Sequence, residues 1–227
     1  MQVENILSVT GIAEVYGDGE KISTAILEYS KNINAKKISV ADFQVDGKII
    51  ESVSVKKNLV TLKFAYENNS FSGTLNQKPN RQKNNSARAG DAPMRSNKTL
   101  PDLNFTVKQV NKILAADGTE ILPSEKAVTK ISAPVIESFQ QKIFTDPATG
   151  NSMPYNIFLP KNYDANKKYP LVFFVADASA NINEVTTPLF QGNGATSFID
   201  KNCIILAPQY TADLVDKLGM MTTDENI

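Results

Sequence analysis

The chain has no histidine and only one cysteine, Cys203, among its 227 residues. The missing histidine removes the side chain that most often serves as a general base near neutral pH, and it also removes a common zinc ligand. One cysteine cannot form an internal disulfide. Because Cys203 lies in the apolar run CIILAP, we interpret it as a buried and unreactive thiol.

An excess of charge and a long apolar run are also missing. The 24 Lys and Arg residues balance the 24 Asp and Glu residues, so no net field attracts nucleic acid or a membrane surface. No run approaches the ~20 apolar residues of a membrane span. The start, MQVENILSVTG, lacks the basic and apolar regions of a signal peptide. Hydrophobic residues make up 41% of the chain, which suffices for one large domain or two modest ones.

Metal and cofactor motifs are absent as well. The acidic residues of the N-terminal part are scattered without the spacing of a calcium loop; they include Asp18, Glu20, Asp42, Asp46 and Glu51. We therefore expect no metal site and no cofactor.

Short strands separated by turn residues fill most of residues 1–134. The segments ILSVTGIAEVY, KISTAILEYSK, ISVADFQV, IIESVSVKKN, LVTLKFAY and LNFTVKQV have the composition of strands. Turn residues separate them at GDGE, DGK and ADGTEI, and Asp-Gly in particular tolerates the positive φ angles of a tight hairpin turn. Since no helical period lies between the strands, the pattern predicts an antiparallel β-sandwich.

One segment interrupts this pattern. Residues 76–98 contain almost no apolar side chains and no aromatic ones. Their basic residues are Lys78, Arg81, Lys83, Arg88, Arg95 and Lys98. We interpret the segment as a solvated, disordered loop; contact with a polyanion is the alternative.

The pattern changes after Pro134. The segment FQQKIFTDPATGNSMPYNIFLP reads as a β-hairpin, and LVFFVA and CIILAP read as continuous apolar strands. The stretch between those two strands has room for a short helix. Because continuous apolar strands suit a sheet covered on both faces, residues 135–227 predict the beginning of an α/β sheet.

These segments resemble a known family. VTGIAEVYGDGEKISTAILEYSKNI is similar to the opening of the immunoglobulin-like N-terminal domain of a family of bacterial esterases. FTDPATGNSMPYNIFLPKNYDANKKYPLVFFVADAS, PLFQGNGATSF and ILAPQY resemble the first part of the α/β-hydrolase domain that follows it, which is related to esterases and prolyl-oligopeptidase-like peptidases. The resemblance implies an immunoglobulin-like domain over 1–134 and the N-terminal portion of a hydrolase domain over 135–227. It also suggests a secreted or periplasmic protein.

The resemblance explains the missing histidine. In the α/β-hydrolase fold the fourth strand inserts between the second and third, and the nucleophile elbow Gly-x-Ser-x-Gly follows only after the fifth. The chain contains no such elbow, and neither Ser179 nor Ser197 lies in one. We therefore expect no catalytic residue in this chain, and the resemblance implies that its partner is the C-terminal hydrolase portion.

The resemblance places the oxyanion loop directly after the third strand. Its first positions correspond here to Ala176 and Asp177, where the family usually has histidine followed by glycine or aspartate. Backbone N–H groups stabilise an oxyanion whatever the side chain, so these two residues are the candidates for that role. The alternative is a capped strand end, in which Asp177 accepts hydrogen bonds from nearby amides.

Three classes of function remain open from the sequence. The chain is the N-terminal part of a serine hydrolase that acts on esters or peptides, a noncatalytic immunoglobulin-like binding module, or one half of a split hydrolase. The first and third classes require a nucleophile and a histidine from polypeptide outside these residues.

Overall fold

The computed structural model describes residues 5–17, 19–66, 101–176, 184–190 and 194–210. The basic segment 76–98 lies outside the described residues. Among those described, 5–14, 21–66 and 101–134 form one compact unit. The remaining described residues, 15–17, 19–20, 135–176, 184–190 and 194–210, form a second unit.

Among the described residues, ten strands belong wholly or mostly to the first unit. They are β1 (Ile6–Tyr16), β2 (Gly19–Tyr29), β3 (Phe43–Val45), β4 (Ile50–Lys56), β5 (Leu59–Phe64), β6 (Thr106–Gln109), β7 (Ile113–Leu114), β8 (Glu120–Ile121), β9 (Ser124–Ala127) and β10 (Lys130–Ser132). A five-stranded sheet has the order β10-β1-β2-β5-β4, a three-stranded sheet has the order β3-β6-β9, and β7 pairs with β8. Most neighbours are antiparallel, but β10 runs parallel to β1.

Alternating burial explains how the sheets form a core. Ala25 and Leu27 of β2 are buried, and they lie opposite Leu62 and Val60 of β5. Residues of the smaller sheets, such as Val107, belong to the same buried cluster. The apolar side chains of the sheets thus share one core, as in a sandwich.

The structure corrects one predicted strand and confirms a predicted turn. In ISVADFQV the chain forms a 3₁₀ helix over Val40–Asp42, so β3 begins only at Phe43. The Asp42 carboxylate accepts hydrogen bonds from the backbone N–H and hydroxyl of Ser39, which stabilises this turn before the strand. Gly47 of the predicted Asp-Gly turn has a φ of 69°, a conformation that glycine adopts at little cost.

The second unit contains a four-stranded mixed sheet. Its strands are β11 (Gln140–Thr145), β12 (Ser152–Phe158), β13 (Leu171–Phe173) and β14 (Ile204–Pro208), and the described helices are α1 (Pro134–Glu137) and α2 (Thr187–Phe190). A 3₁₀ helix covers Thr196–Phe198. The sheet order is β11-β12-β14-β13. β12 is antiparallel to both β11 and β14, whereas β13 and β14 are parallel.

The described part of the chain covers one face of this sheet well. Leu189 of α2 and Ala195 pack with Phe139, Ile205 and Ala207 in a buried cluster that also contains Cys203. The interpretation of Cys203 as a buried thiol is confirmed, since it is 4% exposed.

On the other face, the side chains of β13 and its continuation are exposed. Leu171, Phe173 and Val175 are 60%, 52% and 56% exposed, whereas Val172 and Phe174 point the other way and pack against the buried cluster. Side chains alternate along a strand, so only the second set reaches the covered face.

A buried hydrogen-bond network fixes the core of the first unit. The Tyr29 hydroxyl donates to Gln109 Oε1 over 3.0 Å. Gln109 Nε2 donates to the carbonyls of Asn111 and Ile121 over 2.8 and 3.1 Å. Burial, with a smaller contribution from the charge of Asp42, raises the pKa of Tyr29, so its phenol stays a neutral donor. The network therefore joins β2, β6 and β8 through satisfied polar groups.

We predict that Tyr29→Phe lowers the free energy of unfolding of the first unit by about 1 to 2 kcal/mol, because Gln109 Oε1 is left buried without its donor. Urea denaturation followed by circular dichroism measures the change. Ser54→Ala, at an exposed position on β4, is the control and should alter stability by less than about 0.5 kcal/mol. Equal stability of Tyr29→Phe and the unmodified chain would show that the network contributes nothing.

Candidate functional site

The carboxyl ends of β13 and β14 form the candidate site. Because the two strands are parallel, their carboxyl ends lie at the same edge of the sheet, where α/β proteins place their ligands. The chain leaves β13 through Phe174 and Val175 and reaches Ala176, which is half-buried. Asp177, the second predicted oxyanion residue, lies outside the described residues. The structure therefore places one of the two candidates at this edge.

Asn156 of β12 anchors the connection that follows β13. Its side chain is fully buried, and its Nδ2 donates to the carbonyl of Val185 over 2.5 Å and to the carbonyl of Ala207 over 3.2 Å. The Oδ1 atom accepts a longer hydrogen bond, 3.4 Å, from Gln141 Nε2. One amide thus links β11, β12 and β14 to the segment 184–190.

Segment 184–190 has further polar contacts of its own. Glu184 Oε1 accepts from the Thr186 hydroxyl over 3.0 Å, and its backbone carbonyl accepts from the Thr187 N–H over 3.1 Å. The Thr187 hydroxyl is fully buried and has no hydrogen-bond partner among the described residues. The short helix α2 therefore begins in a polar turn and holds a buried hydroxyl at its first residue.

The ring of Phe174 lies very close to the backbone of Gly194. A Cβ atom built on Gly194 would lie 2.2 Å from Cε2 of Phe174, closer than any side chain permits. The N–H of Phe174 also donates to the carbonyl of Leu206 over 2.8 Å. Glycine at 194 lets the ring pack directly against the backbone.

The described part of this edge offers hydrogen-bond donors, but no pair of groups that could activate a nucleophile. Across the described ranges, no cluster of three His, Cys, Asp or Glu side chains is placed to hold a metal ion. None of the helices within those ranges is both long and apolar enough to span a bilayer. Chemically, the edge can position a backbone segment and present its N–H groups.

Glu20 is a buried carboxyl group in the second unit. It is 7% exposed, and desolvation by burial raises its pKa from 4.5 to about 7. The pKa values of two exposed carboxylates in turns are lowered instead. Hydrogen bonds from Thr119 and Lys31 lower the pKa of Asp117 to about 2, and hydrogen bonds chiefly from Thr149 and Ala148 lower the pKa of Asp146. The carboxyl of Glu20 therefore has a cost of ionisation in the folded state.

Sequence reasoning missed Asn156 and Thr187. Asn156 has a visible signal, because it is a polar residue inside the otherwise apolar stretch YNIF. Burying an unpaired amide in a sheet is costly, so such a residue indicates a buried hydrogen-bond partner. Thr187 has no comparable signal, since threonine is common in polar turns.

We predict that Asn156→Leu loosens segment 184–190, since the carbonyls of Val185 and Ala207 lose the side-chain amide that donates to them. Hydrogen exchange should show the protection free energy of the segment falling by about 2 kcal/mol. Asn202→Leu, at an exposed position of the same unit, is the matched control. Unchanged exchange in Asn156→Leu would mean that other contacts hold the segment.

We predict that the second unit loses stability between pH 4.5 and pH 7 because of Glu20. In that window the carboxyl is ionised in the unfolded chain but protonated in the folded one, so unfolding releases a proton and stability falls as pH rises. Above pH 7 the cost is fully present, about 3 kcal/mol. The stability of Glu20→Gln minus that of the unmodified chain should therefore increase as pH rises from 4 to 8. Hydrogen exchange measures this difference. Glu51→Gln, at an exposed position, is the control and should show no such increase. If Glu20→Gln gained the same stability at every pH, the raised pKa would not be its cause.

Comparison with known proteins agrees with this architecture. A family model described as the esterase Ig-like N-terminal domain matches residues 8–122. The solved structure of a thermostable esterase is similar to the chain, with a TM-score of 0.72 and 25% sequence identity. The similarity covers 91% of this chain but 58% of the esterase chain, so this chain spans little more than half of that relative. A search of curated proteins finds no match. Because the family model spans just over half of its residues, this chain belongs to the family of proteins with the esterase Ig-like N-terminal domain.

Proposed function

We propose that this chain is the N-terminal part of a serine esterase. In this proposal the first unit is an Ig-like accessory domain, and the sheet of the second unit is the first part of an α/β-hydrolase sheet. The rest of the hydrolase comes from polypeptide outside these residues. A split hydrolase, in which a separate chain supplies that part, is one form of the same proposal.

The strand order of the second unit is the observation that carries the proposal. The sequence resemblance implies that a hairpin is followed by a third strand and that the fourth strand inserts between the second and third. The sheet has this arrangement, since β14 lies between β12 and β13. β13 and β14 are also parallel, as the core strands of such a sheet are.

The position of Ala176 supports a role in oxyanion binding. The oxyanion hole of α/β-hydrolases takes one backbone N–H from the loop after the third strand, and Ala176 begins that loop here. Asn156 fixes the far end of the same connection through the carbonyl of Val185. We propose that Ala176 or Asp177 supplies this backbone donor and that Asn156 holds the far end of their connection in place.

The proposed reaction needs residues that this sequence does not contain. Acyl transfer by a serine requires a base to accept its proton, and the chain has no histidine and no Gly-x-Ser-x-Gly elbow. In this proposal the chain alone therefore provides the oxyanion side of a site whose nucleophile, acid and base lie elsewhere. Ester substrates are favoured over peptides because the family and the thermostable relative are both described as esterases.

We predict that the purified chain does not hydrolyse p-nitrophenyl acetate above background and does not react with a fluorophosphonate probe. The control variants are Ser179→Ala and Ser197→Ala, which should behave like the unmodified chain. Turnover that survives repurification and disappears in either variant would contradict the prediction, because the chain would then contain its own nucleophile.

The nucleotide sequence downstream of the codon for Ile227 tests the proposal itself. We expect a continued reading frame, or a neighbouring one, that encodes Gly-x-Ser-x-Gly and a later histidine. If neither reading frame encodes Gly-x-Ser-x-Gly and a later histidine, the noncatalytic binding module is favoured instead.

A further inference from the structure

The strand β11 forms the edge of the second unit's sheet that lies farthest from β13. Among the described strands its only neighbour is β12. All six residues of β11 are exposed, and its two large apolar side chains, Ile143 and Phe144, are 71% and 54% exposed. Because side chains alternate along a strand, these two residues lie on opposite faces. An edge strand with exposed apolar side chains is a surface on which another strand can pair.

The backbone of β11 presents its odd-numbered residues to the open side. The Asp146 N–H donates to the Asn151 carbonyl over 2.8 Å, directly beyond the last pair of β11 and β12. Hydrogen bonds alternate along an antiparallel pair, so the even-numbered residues of β11 bond to β12, while Ile143 and Thr145 direct their N–H and carbonyl groups outward. Pro154 agrees with this phase, because it lies opposite Ile143 and has no N–H to donate.

The phase of the backbone limits how a second copy of β11 can pair with the first. In an antiparallel pair, opposite residues either both bond to each other or both face away, so Ile143 lies opposite residue 141, 143 or 145 of the other copy. The first register places Lys142 opposite itself, where like charges repel, and the second places it opposite Phe144. The third register places Lys142 opposite Asp146 and Phe144 opposite itself.

The third register is the one that pairs opposite charges. The Asp146 carboxylate accepts hydrogen bonds from the Thr149 hydroxyl over 2.6 Å and from the Ala148 N–H over 3.0 Å, and these bonds lower its pKa. It is therefore a fixed negative charge at neutral pH. Lys142 has no ion-pair partner within the described ranges. A two-fold axis forms the Lys142–Asp146 pair twice, on either side of a contact between the Phe144 rings.

We propose that β11 is a dimerisation edge, on which a second copy of this chain pairs in the antiparallel direction about a two-fold axis at Phe144. Lys142 of each copy then binds Asp146 of the other, and Ile143 lies opposite Thr145. Because the contact is one short strand, we expect a reversible dimer with a Kd between about 10 and about 100 µM. The proposal does not depend on the proposed esterase function, since it uses the edge of the sheet opposite β13.

Two matched variants test which edge associates. Phe144→Lys places a charge at the centre of the proposed contact, and Phe173→Lys places one on β13; the two side chains are 54% and 52% exposed. Sedimentation velocity of the full chain should show dimerisation that Phe144→Lys weakens by about 100-fold and Phe173→Lys changes by less than about threefold. Equal effects, a larger effect of Phe173→Lys, or an unmodified chain that is monomeric at about 500 µM would overturn the proposal.

Cysteine cross-linking tests the register. Opposite residues that do not exchange hydrogen bonds have Cα atoms about 4.5 Å apart, which a disulfide can span. With oxidised glutathione, Phe144→Cys should therefore form a disulfide-linked dimer much faster than Ile143→Cys, whose opposite residue is Thr145. Phe173→Cys measures random collision, and Cys203 is buried. Cross-linking of Ile143→Cys or Phe173→Cys as fast as that of Phe144→Cys would overturn the proposal.

A double-mutant cycle tests the ion pair. Lys142→Met removes the cation, and Asp146→Asn removes the anion while its amide oxygen can still accept from the Ala148 N–H. Each variant should weaken dimerisation by about fivefold, and the double variant should be no weaker than either one, because both remove the same pair. Hydrogen exchange of the Phe144 amide, which bonds to β12, checks that the hairpin is intact. Effects that multiply in the double variant would show that the two residues do not meet.

The amides of Ile143 and Thr145 report on the backbone pairing itself. Their hydrogen exchange should slow as the concentration of the unmodified chain rises through the Kd, whereas exchange of the exposed turn amide of Gly150 should not change. Dimerisation without slower exchange of these two amides would overturn the proposal.

Discussion

The parallel pairing of β13 with β14 is the constraint on which the second unit depends. Parallel strands are apolar on both sides and need cover on both faces of their sheet. The connection between the two strands supplies cover on one face, where Leu189 and Ala195 pack. The pairing also brings the carboxyl ends of both strands to one edge, so the same geometry that demands burial creates the position of the candidate site.

Much of the fold follows from local patterns, and the exceptions have identifiable causes. The composition of KISTAILEYSK predicts strand β2, and Asp-Gly predicts the turn at Gly47. The 3₁₀ helix at Val40–Asp42 was missed because Ser39 and Asp42 bond to each other, which overrides the strand preference of the flanking residues. The parallel pairing of β10 with β1 depends on contacts between distant residues, which composition does not reveal.

The candidate site was predictable only in part, and the reason is again physical. A strand followed by a polar loop indicates the position of Ala176, but the resemblance was needed to give that position a role. Asn156 could have been found from its place in an apolar strand, although its partners, Val185 and Ala207, are 29 and 51 residues away. Sequence indicates that a buried amide must be satisfied; only the fold shows which carbonyls satisfy it.

The proposed function separates two requirements of an esterase site that are usually described together. Binding an oxyanion needs backbone donors held in place, and in the proposed function Asn156 and the segment it anchors would support them. Activating a serine needs a base, which the 227 residues lack. Because the support is built from β12, β13, β14 and their connection, it forms without the nucleophile. In the proposed function, the nucleophile and the base would be added to a sheet in which the contacts of Asn156 are already made.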